Sequence, residues 1–161
     1  MADLFAELHR RHPDVDLVLL PPEPPPVEAP EAGPDQVEAV LATATATAGR
    51  LWTVVAPDSP VAPQVRWSYA ADPGRVQAVA RVVEPQADGF HVLVALRHEL
   101  EHHGWAITRP PGAVERLTGH LDELTLAASY AEQTGVLLVT VSSDPVVVGA
   151  ERAAALVRGE A

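Results

Sequence analysis

The stretch QVRWSYAADPGRVQAVARVV, residues 64–83, decides the fold class of this chain. Apolar and polar side chains alternate along it in two runs, which is the pattern of β-strands with one buried face. Asp72, Pro73 and Gly74 lie between the runs and have the composition of a turn. The stretch therefore predicts an antiparallel hairpin. The side chains predicted to face the core include Val65, Trp67, Tyr69, Val76, Ala78, Ala80 and Val82, and those predicted to face away from it include Gln64, Arg66, Ser68, Arg75, Gln77 and Arg81.

The residues after the hairpin predict a helix and then a meander of strands. Leu93, Leu96 and Leu100 recur at helical spacing within residues 88–104, and Gly104 is typical of a helix end. Further strands are predicted over residues 105–109, 113–119, 123–130 and 136–143, and a short closing helix over 150–159. This order indicates an α+β fold, in which helices pack on one face of an antiparallel sheet made of the hairpin and a C-terminal meander.

A proline-rich connector precedes this part of the chain. Half of residues 21–34 are proline, and most of the others are glutamate or alanine. Proline fixes φ and lacks the N–H donor, so the segment predicts neither a helix nor a central strand. Residues 1–20 before it predict a short helix over 2–12 and a short strand over 15–20. The single globular α+β domain is predicted over residues 35–161.

The first residues of that domain predict a helix. Asp35 is a suitable N-cap, and Val37, Val40 and Leu41 fall on its inward face. Gly49 favours a helix end. The apolar run at residues 51–56 suits either a continuation of the helix or a new strand, and we favour continuation.

The composition limits the classes of function. The chain has 161 residues, of which 47% are hydrophobic, and a formal net charge of −11 in which all eleven basic residues are arginine. Such a charge repels nucleic acids and anionic lipid surfaces, whereas it suits a basic partner protein. The chain has no cysteine, which excludes disulfides and thiolate chemistry. We find no signal-peptide pattern and no membrane-length apolar run, so we expect a cytoplasmic protein, and the lysine-free composition is typical of a GC-rich bacterial genome.

One motif matches a known chemistry. His98-Glu99-Leu100-Glu101-His102 has the form H-E-x-x-H, and on a helix its two histidines share one face. Over these five residues the chain resembles the zincin metallopeptidases. The resemblance implies that His98 and His102 bind zinc and that Glu99 acts as the general base on zinc-bound water.

The surroundings of the motif favour a plainer interpretation. Glu101 stands where zincin helices usually keep an uncharged residue, and the extended metzincin pattern fails at Trp105 and Thr108. The charged residues 97–103 then form the solvated end of an amphipathic helix. His91 lies on nearly the same face, which suits adventitious zinc or nickel binding.

A zinc enzyme also needs a third ligand. The candidates are His120, Asp122 and Glu123. The alternation over residues 124–130 predicts a strand there, however, and a strand gives Glu123 no evident reason to face the helix.

Three smaller constellations have structural interpretations. Ser142 and Ser143, followed by Asp144 and Pro145, are typical of a strand-ending turn. Glu84 and Asp88 suit a turn and a helix cap. Aromatic side chains are candidates for a small-molecule pocket, although core packing accounts for them equally well; they are Trp67, Tyr69 and Trp105.

The predicted function is that of a soluble, acidic, non-catalytic module of a bacterial cytoplasm that binds another protein and needs no cofactor. It would be an accessory or chaperone-like partner of a secretion system, or an immunity-type inhibitor of a basic toxin. The alternative is a small zinc-dependent metallopeptidase that uses the HELEH motif at residues 98–102.

Overall fold

The computed structural model describes residues 10–11, 30–72, 74–85, 88–110 and 115–160. Within these residues three helices of nine residues or more are present, α1 (Pro34–Val55), α2 (Gly89–His102) and α3 (Ala150–Arg158). The strands are β1 (Gln64–Tyr69), β2 (Arg75–Pro85), β3 (Ala106–Thr108), β4 (Glu115–Leu121), β5 (Leu124–Ala131), β6 (Val136–Ser143) and β7 (Val146–Val147). No helix in the described part of the chain is long and apolar enough to cross a membrane.

All strand pairs of the sheet are antiparallel, and the order is β1-β2-β6-β5-β4-β3, with β7 paired to the start of β2. The α+β prediction is therefore confirmed. The predicted helix over 2–12, apart from the helical residues 10 and 11, lies outside the described residues. So do the predicted strand over 15–20 and the connector up to residue 29.

One face of the sheet forms the core. Because side chains alternate along a strand, each long strand contributes every second residue to this face. On the three central strands the buried residues are Val76, Ala78, Ala80 and Val82 of β2, Leu137, Val139 and Val141 of β6, and Leu124, Leu126, Ala128 and Tyr130 of β5. Helix α1 packs on β2 and β6, and α2 packs on β3, β4 and β5. Helix α3 contacts β1 and β2.

Strand β2 joins the hairpin to the meander. It pairs with β1 along one edge and with β6 along the other, where Ala80 is opposite Val141 and Val82 is opposite Val139. Near the start of β2, Ala78 donates its backbone N–H to Ser143 Oγ at 3.0 Å. The prediction of a hairpin is confirmed, and the Ser143 hydroxyl serves the sheet rather than a catalytic pair.

Helix α2 begins and ends near its predicted bounds. Leu93, Leu96 and Leu100 are buried, as their spacing predicts. Gly104 has φ +78°, a conformation that glycine adopts without strain, and the next residue, Trp105, donates its N–H to the Leu100 carbonyl at 3.0 Å.

Helix α1 does not end at Gly49, which corrects that prediction. It continues to Val55, so the favoured continuation through residues 51–55 is confirmed. Leu51 and Trp52 lie beyond the glycine and are buried. Their burial outweighs the cost of about 1 kcal/mol that a glycine imposes inside a helix.

The last residues of the predicted connector are attached to the domain. Ala32 is buried, its N–H donates to the Val147 carbonyl at 2.7 Å, and its carbonyl accepts a hydrogen bond from Arg152 at 2.8 Å. Helix α1 then begins at Pro34 with Gly33 as its N-cap, since proline is well accommodated in a first helical turn. Asp35 therefore lies in the first turn and is not the N-cap as predicted.

Two side chains are placed differently from their predictions. Tyr69 is 54% exposed although the alternation assigns it to the core. It is the last residue of the edge strand β1, where the core layer ends. Glu84 belongs to β2 rather than to a turn and is buried on the core face.

Gly49, inside α1, and Gly89, the first residue of α2, should respond oppositely to alanine. A Cβ at Gly49 meets nothing within 4 Å, so Gly49→Ala should stabilise the domain by about 0.5–1 kcal/mol. A Cβ at Gly89, the first residue of α2, would overlap the ring of Tyr130, so Gly89→Ala should destabilise it by about 1–3 kcal/mol. Urea unfolding of both variants measures these changes, and equal effects at the two positions would contradict the packing described here.

Candidate functional site

The HELEH motif lies at the C-terminal end of α2. His98 and His102 are exposed, and both project from the solvated side of the helix. The Glu99 carboxylate accepts a hydrogen bond from His103 Nε2 at 2.8 Å, one helical turn away. The candidate general base of the zinc alternative is thus engaged by a neighbouring histidine.

The structure does not bring any of the three candidate third ligands into a metal site with His98 and His102. A Cβ on Gly119 would lie 3.2 Å from the Trp105 ring and 3.7 Å from Leu100 Cδ1. The side of β4 on which Gly119 lies therefore faces α2. His120 is the next residue and therefore points to the opposite face, where its Nδ1 bonds Thr125 Oγ1 at 3.0 Å.

Asp122 and Glu123 form the exposed turn between β4 and β5, because β5 is a strand as predicted. His91 bonds the Asp88 carboxylate one turn away at the start of α2. Within the residues that the structure describes, no three His, Asp or Glu side chains are grouped closely enough to hold a metal ion.

The aromatic side chains of the small-molecule alternative do not share one cleft. Trp67 lies on β1 and Trp105 directly precedes β3, and these two strands are the opposite edges of the sheet. Both tryptophans are buried, whereas Tyr69 is exposed. They serve as separate pieces of the core and its margin.

A different surface stands out once the sheet is assembled. We call it the open face: the side chains of β1, β2 and β4–β6 that point away from α1 and α2. Its members are Gln64, Arg66, Ser68, Arg75, Gln77, Val79, Arg81, Val83, Pro85, Arg116, Thr118, His120, Thr125, Ala127, Ser129, Ala131, Val136, Leu138, Thr140 and Ser142. Because α1 and α2 occupy the other face and the main sheet contacts of α3 are with β1 and β2, none of these helices covers the open face over β4, β5 and β6.

The charge of the open face is opposite to that of the whole chain. Its charged members are Arg66, Arg75, Arg81 and Arg116, of which Arg75 forms an ion pair with Asp72 in the adjoining turn, and no carboxylate stands among its strand positions. The chain as a whole carries 22 acidic and 11 basic residues. Tertiary structure therefore concentrates positive charge on one side of an acidic protein.

Arg66 and Arg81 line a recess of about 260 Å³ at the β1 side of the open face. Gln64 pairs with Arg81 and Arg66 pairs with Val79, so the two arginines are diagonal neighbours on adjacent strands. The remaining walls are the polar Gln64 and the apolar Val61, Ala62 and Val83. The recess thus combines two cationic side chains with a short apolar rim.

The rim of this recess is held rigidly. Trp52 Nε1 donates to the Val61 carbonyl at 2.8 Å, and the Val61 N–H donates to Ser59 Oγ at 3.1 Å. Ser59 Oγ in turn lies 2.9 Å from both carboxylate oxygens of the buried Glu84, to which its hydroxyl donates. These bonds tie the loop after α1 to β2 and position Val61 at the rim of the recess.

A larger recess of about 520 Å³ lies between α1 and the turn that joins β4 to β5. Arg50 stands on its α1 side, and Asp122 and Glu123 stand on the opposite side. Because its walls carry charges of both signs, this recess selects no single ligand charge.

The alternation of residues 64–83 places Arg66 and Arg81 on the outward side of the hairpin, but it does not indicate the recess that they line. It does not show that β6 would pair with β2 and extend the outward side into a broad face. Ser59 has no local signal at all, because its partner Glu84 is 25 residues away.

No protein-family model matches this chain, and comparisons with curated proteins and with solved structures find no significant match.

The zinc alternative predicts that zinc binds tightly, whereas the exposed placement of His98 and His102 predicts that zinc binds weakly. Two exposed ligands one turn apart leave the other coordination positions to water. We expect elemental analysis of untagged protein, purified without chelator and then dialysed, to find far less than about one zinc per chain. A full equivalent that survives dialysis and is lost in His98→Ala would support the metallopeptidase, and a protease assay with Glu99→Gln would follow.

Proposed function

We propose that this chain is a non-catalytic protein-interaction module and that the open face is its binding surface. The observation that carries the proposal is that no helix among the described residues covers the open face over β4, β5 and β6, together with the single sign of charge on that face. A sheet normally buries at least one face against another layer, and this sheet already does so with α1 and α2. None of the described helices occupies the second face over β4, β5 and β6, which leaves it open to another molecule.

The size of the open face suits a protein partner. Five strands spaced by about 4.8 Å and about 25 Å long present roughly 600 Å². One partner of a standard protein–protein complex buries about 800 Å². The open face and its margins reach that range, whereas a small molecule would use only a fraction of it.

The chemistry of the open face also suits such a partner. Its central side chains are short and half-buried by their neighbours, among them Thr125, Ser129 and Thr140. Val83 adds a large apolar side chain that is 48% exposed. Interfaces combine apolar contact with arginine and are depleted in acidic residues, as this face is.

The proposal also covers the cellular location and the biological role of the chain. The net charge of −11 and the absence of cysteine favour a soluble module of a bacterial cytoplasm. The acidic surface outside the open face suits a second, basic partner. An accessory or chaperone-like role in secretion and an immunity-type role are the biological forms that we propose.

The first test is position-specific crosslinking. A photoreactive p-benzoylphenylalanine at Thr140, in the centre of the open face, should form a discrete crosslinked species in a lysate of the source organism. The same group at Ala46, exposed on α1, should not. Equal crosslinking from both positions, or none from Thr140, would overturn the proposal.

A matched pair of variants then tests the face with the purified partner. Val83→Asp places a carboxylate on the open face, and Val54→Asp places one on α1; the two valines are 48% and 52% exposed. We expect Val83→Asp to weaken binding about tenfold or more and Val54→Asp to leave it unchanged, as measured by calorimetry. An equal effect of the two variants would contradict the assignment of the surface.

A further inference from the structure

We infer that the recess lined by Arg66 and Arg81 receives carboxylates from an acidic, extended segment of the partner protein. The inference rests on the proposed function and adds the chemical class of the partner. It also assigns one place on the open face as the determinant of specificity.

The arginines of the recess differ from most others in the described part of the chain. Ion pairs engage Arg75 with Asp72, Arg97 with Glu101, Arg109 with Glu115 and Arg158 with Glu160, and Arg152 donates to a backbone carbonyl. Arg66 and Arg81 form no ion pair or hydrogen bond with any described residue. In a chain with twice as many carboxylates as arginines, this leaves two guanidinium groups available to a carboxylate from outside.

The two guanidinium groups converge on one volume. Side chains at diagonal positions of adjacent strands are separated by about 7–8 Å at the backbone, and arginine is long enough to close that gap. A guanidinium binds a carboxylate through paired N–H donors, and charge-assisted bonds of this kind are stronger than neutral ones. A carboxylate in the recess would also relieve the repulsion between the two like charges.

Strand β1 provides the means to hold an extended segment. Among the described residues β1 pairs with β2 alone, so its outer edge has no partner strand. A peptide that adds to this edge gains backbone hydrogen bonds, and every second side chain then lies on the open face beside Arg66. Acidic residues at alternate positions are therefore the expected pattern.

The same observations disfavour a nucleic acid. Nucleic-acid binding needs several phosphate contacts along an extended basic track, and the whole chain carries a net charge of −11. The recess offers two arginines with an apolar rim, which matches the carboxylate and short stem of aspartate or glutamate. Repulsion by the distant carboxylates is screened beyond about 8 Å at physiological salt, whereas a contact within the recess is not.

The probe for the test is a phage-displayed library of random linear peptides, selected on the full chain. We expect enrichment of aspartate and glutamate at alternate positions. A synthetic copy of the best peptide should bind about tenfold or more weakly to the Arg66→Gln/Arg81→Gln variant, measured by fluorescence anisotropy. Raising the salt from about 0.1 M to 1 M should weaken binding to the wild-type chain as well.

The matched control is the Arg50→Gln/Arg97→Gln variant. It removes the same charge from two exposed arginines outside the open face, one on α1 and one on α2. Its affinity for the peptide should stay within about twofold of the wild-type value, because neither arginine lines the recess. Equal losses in the two double variants would overturn the inference in favour of general charge attraction.

Other outcomes also decide the matter. Selected peptides that bind the open face without acidic residues would overturn the inference and leave the proposed function standing, whereas a failure of the Thr140 crosslink removes both. Tighter binding of a labelled mixed-sequence RNA than of the acidic peptide would assign the recess to nucleic acid. Self-association that the Arg66→Gln/Arg81→Gln variant abolishes, seen by sedimentation, would assign it to a second copy of the chain. The peptides are selected on the wild-type chain alone, so their amino-acid composition tests the inference even if a variant does not fold.

Discussion

The pairing of β2 with β6 is the constraint on which the rest of the structure depends. It connects residues about 60 positions apart, from Val79 opposite Ser142 to Pro85 opposite Val136. Such a contact closes a long loop, so its entropic cost must be offset by apolar burial along the two strands. Once it forms, a hairpin that would be marginal alone becomes part of a continuous seven-stranded sheet.

This pairing also decides what each side of the sheet does. Ala80 and Val82 meet Val141 and Val139 on the core side, where α1 and α2 cover them. On the other side the same register places Arg81 beside Thr140 and extends the open face across β6 and β5. The core and the proposed binding surface are thus two consequences of one strand register, since a shift by one residue would exchange them.

The HELEH motif illustrates how a local pattern and a tertiary site can differ. Its spacing correctly places His98 and His102 together on a helix, because helical periodicity is a local property. A metal centre needs further ligands from other elements, and strand alternation decides where those point. His120 follows Gly119, whose face meets α2, and therefore lies on the far side of the sheet. The recess at Arg66 and Arg81 has no motif, yet the fold assembles it from two strands and an anchored loop.

The sequence by itself determined the elements and the direction in which most of their side chains point. Periods of two and of about 3.6 residues are set by backbone geometry, so they predict β1, β2 and α2, with Trp67, Leu96 and Leu100 buried. Only the tertiary structure decided that α1 runs through Gly49, that Tyr69 is exposed at a sheet edge, and that Ser59 binds Glu84. Those outcomes depend on which elements meet across the fold, and a contact between distant residues leaves no local pattern in the chain.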